Sequence, residues 1–296
     1  MNRLLFGTFF FFIFTVMNLI GYSQSATDFL SINYSAISKS EFKDQVGEAQ
    51  LNHFDFNFVT PTIQLNTKTK INNIIYYRLS NYQYSSFPNS IEIVPQELHE
   101  IKYTLLTRHK FNSTWELLLV PRISIRSDFK DNLNSNDLFP AVSTIVMKTS
   151  QKNEHLKWGF GLNYNNDLGK NSIIPILAFS YVADKMKLST YFPNNANLIF
   201  LPSKKIEYGF GFTTDPTLFH INTIDSIEYL RTLNVAVHPT FSYNLSSNFW
   251  LNAKGGWVLR RNFDFYNSDF ESPTDDFENQ LKASAFVQIG VSFRTK

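Results

Sequence analysis

In residues 157–164, KWGFGLNY, Trp158, Phe160, Leu162 and Tyr164 share one parity, while Lys157, Gly159, Gly161 and Asn163 share the other. Alternate side chains of a strand point to opposite faces, so this segment predicts a strand with one apolar face and one small or polar face. IEYGFGFT (206–213) repeats the pattern with Ile206, Tyr208, Phe210 and Phe212 against Glu207, Gly209, Gly211 and Thr213. HFDFNF (53–58) and LKASAFVQIGVSF (281–293) alternate in the same way.

Strands are predicted at 28–37, 49–65, 70–84, 98–111, 115–127, 138–150, 156–165, 172–182, 186–192, 195–201, 205–214, 231–244, 249–261 and 281–294. Many reach the roughly nine to eleven residues that a tilted strand needs to cross a bilayer. An open sheet edge cannot face hydrocarbon, so such strands must close into a barrel. The connectors alternate between short polar turns, such as 151–155 and 244–248, and longer segments, such as 128–137, 214–230 and 262–280. That is the habit of antiparallel membrane barrels. The expected fold is therefore all-β: a transmembrane up-and-down barrel of about fourteen strands, or about twelve if 186–202 does not span. Pro61 and a parity change between Phe58 and Ile63 predict a bulge in the second strand.

Composition supports this architecture. The chain carries 30 Phe and 14 Tyr among 296 residues, with only 18% charged residues. The net charge of +2 gives no electrostatic reason to expect nucleic acid as a partner. Residues 1–25 read as a cleavable signal peptide, with Asn2-Arg3, an apolar run, and Ser23 and Ser25 at the cleavage site. The mature barrel is then residues 26–296, exported to a bacterial outer membrane. There is no Cys, so neither a disulfide nor a lipoprotein anchor is available.

SDFKDNLNSNDLFPAVSTIVMK (127–148), GFGLNYNNDLGKNSIIPILAFSY (159–181) and YFPNNANLIFLPSKKIEYGFGF (191–212) carry a resemblance. They resemble the uncharacterised Bacteroidota-type outer-membrane β-barrel proteins, a domain of unknown function. The resemblance rests on Ser127-Asp128-Phe129 after a strand, Asn166-Asp167 with Gly169 in a loop, Pro175 opening a strand, and the Pro-containing short hairpin. It implies an outer-membrane barrel and no particular activity.

By parity, Arg78, Lys102, Arg108, Arg122, Arg126, Lys254 and Arg260 face the lumen as a basic wall, together with the acids Glu100 and Glu116. Rings of Arg or Lys favour anions in pores, whereas interleaved acids point to an internal ladder of salt bridges. Trp115, Trp158, Trp250, Tyr181 and Tyr243, near strand ends, read as an interfacial girdle. The six His show no metal-binding spacing, and no nucleophile elbow accompanies them, so no catalytic residue, metal or cofactor is expected. The acidic stretch 264–278 reads as solvated loop charge, with Ca²⁺ as the less favoured reading.

The expected function is a narrow channel or transporter for small solutes. The alternative is a structural or surface-interaction barrel with a filled lumen, and the third reading is a lipid-modifying barrel enzyme. The expected partners are outer-membrane lipid, lipopolysaccharide and the barrel-assembly machinery.

Overall fold

Alternating strands leave unpaired backbone groups along both edges of a sheet, and closing the sheet removes them. The computed structural model describes residues 27–43, 46–85, 95–168, 170–224, 227–271 and 280–295; the predicted leader lies outside them. The strands are β1 (Thr27–Glu41), β2 (Glu48–Val59), β3 (Ile63–Gln64), β4 (Thr69–Ser85), β5 (Glu97–Lys110) and β6 (Trp115–Ser127). A 3₁₀ turn, Ser135–Asp137, precedes β7 (Leu138–Thr149), β8 (Leu156–Asn165), β9 (Ser172–Ala183), β10 (Met186–Phe192) and β11 (Asn195–Phe200). β12 (Ile206–Ile224), β13 (Ile227–Ser246), β14 (Phe249–Tyr266), β15 (Gln280–Leu281) and β16 (Ser284–Thr295) follow.

β3 and β15 are two-residue pairings; the other fourteen strands form the wall. Each wall strand pairs antiparallel with its neighbour in sequence, and β1 pairs with β16 to close the ring. The β10–β11 hairpin belongs to the wall, bonded to β9 and β12. The outer face carries exposed apolar side chains such as Tyr34, Phe54, Phe160, Leu177, Phe210 and Ile289. We call the end bearing the turns at 111–114, 184–185 and 247–248 the turn end, and the opposite rim the loop end.

The predicted loop 214–230 is instead strand. β12 pairs with β11 only as far as Thr213, then continues to Ile224 against β13, with a register break after His220. In this extension both faces are buried: Leu218 and His220 on one side, Phe219 and Ile221 on the other. His220 pairs parallel with Ser127 of β6, and the Asn222 amide donates to Asp128 Oδ2 at 3.2 Å. The tip of the β12–β13 hairpin therefore folds into the loop-end mouth. On one face, Phe219, Ile221 and Leu230 join an apolar cluster with Leu51, Tyr82 and Phe263. On the other, Leu218 and Tyr229 pack with Phe139.

Two local departures matter. β2 ends at Val59 and the chain resumes pairing only at Ile63–Gln64, so Pro61 interrupts the strand. In β14 the register shifts between the pairs Val235–Arg260 and Ala236–Val258, and parity switches there. The inward glycines sit where a neighbouring strand leans over the inner face. A Cβ on Gly159 or Gly209 would overlap the backbone carbonyl of Val146 or Leu198, and one on Gly211 would overlap the His238 ring.

Candidate functional site in the lumen

Inward-facing positions of adjacent strands lie close enough to pair, so charges placed there by parity meet across the ladder and across the lumen. They form three tiers. Near the turn end, Arg294 Nη1 bonds Glu207 at 2.9 Å, its Nε reaches Asp28, and Lys187 lies 3.8 Å from Glu207. Lys157 binds Glu116 at 2.9 Å at the same end. At mid-height, Arg78 of β4 binds Asp55 of β2 at 2.8 Å and also pairs with Asp215 of β12. Toward the loop end, Arg126 bridges Glu100 (2.8 Å) and Asp167 (2.5 Å); Arg122 binds Asp167 at 2.9 Å and Lys102 lies 3.4 Å from Glu100. Above this tier sits the hairpin tip.

Four of the seven predicted basic positions, Arg78, Lys102, Arg122 and Arg126, thus meet acids. Arg108 is exposed, near the turn end. Lys254 is half-buried and has no ion pair among the described residues. Arg260 is a correction: the β14 register shift turns it to the outer face, where it is exposed, and turns Arg261 inward. Arg261 is 1% exposed, and among the described residues its three guanidinium nitrogens have no hydrogen-bond partner.

Trp115, Trp158 and Tyr181 point outward near the turn end. The Lys148 ammonium lies 5.1 Å from the Trp115 ring and 6.0 Å from that of Trp158. Tyr243 also points outward. Trp250 is a second correction: it is 8% exposed, whereas Leu251 beside it is 43% exposed. It belongs to the inner face of β14, where the Arg294 guanidinium lies 4.4 Å from its ring.

The hairpin is held by a polar contact outside the wall. His220 Nδ1 lies 2.9 Å from Asp137 Oδ1, and the Asn134 amide donates to Asp137 Oδ2 at 2.8 Å. Burial disfavours the ionised Asp137 carboxyl, but the Asn134, His220 and Ser127 hydrogen bonds outweigh it and hold the group below the usual carboxylate range. His53 Nδ1 lies 2.9 Å from Ser80 Oγ, yet Ser80 is fully buried and offers no nucleophile to a substrate. Among the described residues, no three His, Asp or Glu side chains cluster with metal-binding geometry. The 272–279 part of the acidic stretch lies outside the described residues.

Sequence reasoning missed Asp28, Asp55, Asp167, Glu207, Asp215 and Arg294. Asp55 and Glu207 were within reach, because each has the parity opposite its aromatic neighbours. Asp167 and Asp215 fell in segments taken as loops, where parity predicts nothing.

Residues 20–294 match the family described as "Domain of unknown function (DUF6268)", and the chain belongs to that family. No curated protein matches the sequence. Among solved structures, the COG4313 outer membrane channel from Pseudomonas putida F1 is similar at 10% identity and a TM-score of 0.46, over 94% of this chain and 98% of that one. The TodX monoaromatic hydrocarbon channel is similar at 9% identity and a TM-score of 0.44, over 90% of this chain and 88% of that one. The NanC porin is similar at 9% identity and a TM-score of 0.39, over 90% of this chain and 100% of that one.

Proposed function

For a member of a family whose description assigns no activity, we propose a reading built on the lumen: a narrow outer-membrane channel for small solutes, closed at its loop end by its own β12–β13 hairpin. The observation that carries it is the burial of both faces of the hairpin tip inside the mouth. Below the tip the lumen is lined by charged side chains, among them exposed Arg108 and half-buried Lys254, which suits a wet interior. A wet half under an apolar stopper is the arrangement expected of a gated conduit. The paired charges neutralise one another, so they fit an internal brace better than an anion-selecting wall.

The same ion pairs favour the second reading, a filled structural barrel that conducts nothing. Planar-bilayer recording separates the two. Wild-type protein should give rare, small single-channel steps, and replacing 217–230 with a short Gly-Ser link should give frequent, larger ones. A barrel that stays silent in both forms would overturn the channel reading.

A further inference from the structure

Every cation in the middle and loop-end tiers, Arg78, Lys102, Arg122 and Arg126, has a carboxylate within ion-pair distance. Arg261 stands apart. It lies on the inner face of β14, between Val258 and Phe263, two members of the apolar cluster in the mouth. Its backbone partner in β15, Leu281, belongs to the cluster as well. Its guanidinium lies 5.8 Å from the Phe263 ring, and Tyr82 of β4 meets that ring edge-on at 5.2 Å. Among the described residues no acceptor reaches Nε, Nη1 or Nη2. Burying a charge without a partner is costly, so this arrangement strains the closed state. The Ser284 hydroxyl on neighbouring β16, whose partner in β14 is Val258, is buried and also has no partner among the described residues.

The hairpin tip packs on the same cluster through Phe219, Ile221, Ile227 and Leu230. The described residues of the tip supply apolar surface but no acceptor for the guanidinium. A molecule with an apolar body and one carboxylate supplies both. We propose that Arg261 anchors the carboxylate of a small apolar monocarboxylate, which takes the place of the hairpin tip on the apolar cluster and thereby opens the mouth. A planar carboxylate matches the fork of the guanidinium, and the Phe263 ring, with Tyr82 edge-on to it, packs beside the group. This inference rests on the gated-channel reading, but ligand binding can be measured without conductance.

The test uses full-length mature protein in detergent micelles, with benzoate as the probe, benzamide as its uncharged analogue and inorganic phosphate as an anion without an apolar body. Titration calorimetry should detect benzoate binding, weakened at least tenfold in Arg261→Gln and partly retained in Arg261→Lys. Benzamide and phosphate should each bind at least tenfold more weakly than benzoate. Benzoate should also speed amide exchange across 217–222 in wild type and not in Arg261→Gln. Arg261→Gln removes an unpaired buried charge, so the variant should fold; a heat-modifiable gel shift checks this. Equal benzoate binding by wild type and Arg261→Gln, or equal binding of benzamide or phosphate, would overturn the proposal. A silent bilayer with intact benzoate binding would count against the channel alone, and conduction without benzoate binding against this site alone.

Discussion

Arg78 of β4 and Asp215 of β12 form an ion pair across the lumen, between two strands that share no backbone pairing. Asp215 sits just past Thr213, where β12 loses its pairing with β11 and starts into the mouth. The pair therefore ties the base of the hairpin to the opposite wall. Arg78 keeps Asp55 when Asp215 is lost. Asp215→Asn should leave the barrel folded, with less than about 1 kcal/mol lost because the carboxylate is partly exposed. It should raise the open probability in single-channel recordings; an unchanged open probability would remove this pair from the gate.

Arg126 and Glu100 are both almost wholly buried and pair with each other. Removing either leaves the other with one remaining partner, Lys102 for Glu100 and Asp167 for Arg126, so Arg126→Ala or Glu100→Gln should each cost about 1–3 kcal/mol in urea-unfolding free energy. The wild-type reversal potential in a KCl gradient should lie close to zero, since acids balance the inward bases. A strong anion preference, abolished in the Arg122→Ala/Arg126→Ala double variant, would restore the basic-wall reading.

Gly209 has no room for a side chain, because a Cβ there would meet the Leu198 backbone, which cannot rotate away. Gly255 offers a comparison: its Cβ would rest in ordinary contact, 3.6 Å from the Phe286 carbonyl. Gly209→Ala should destabilise the barrel by about 1–3 kcal/mol, while Gly255→Ala should be tolerated. Heat-modifiable gel shifts of the two variants give the comparison, and equal melting would refute the close-approach argument.

The fourteen wall strands were legible because one face met lipid and the other did not, which writes a period of two into the sequence. The pattern failed where that asymmetry ends. In TLFHI and IEYLRT both faces of the hairpin are covered, so apolar residues fall on both parities and the segment read as a loop. Arg260 and Arg261 show the same limit on a smaller scale. One extra residue in β14 reverses every inward position beyond it, and nothing in the local sequence marks the bulge. The lumenal bases could be read from parity, but their partners Asp167 and Asp215 depended on how a loop and a hairpin fold inward.

Asp137 ties the hairpin to the turn before β7 through His220. Its carboxyl is held below the usual range in the folded protein, so its contribution to stability is complete above the unfolded value of about 3.9. It is lost as pH falls through the lower folded value. Amide exchange across 217–222 should stay slow as pH drops from about 7 to about 5, after correction for intrinsic rates, and quicken below about 4. Asp137→Asn should show fast exchange across that whole range; slow exchange in this variant would mean that the carboxylate does not hold the hairpin.

Because the chain has no cysteine, a disulfide introduced between adjacent strands would be the only one present. Ser127 and His220 are the residues through which β6 and β12 pair across the mouth. The most direct measurement is single-channel recording of the Ser127→Cys/His220→Cys protein, first oxidised and then reduced on the same membrane. Openings should be absent while the disulfide holds the hairpin in the mouth and should appear after reduction. Openings of the same size and frequency in both states would contradict a hairpin gate.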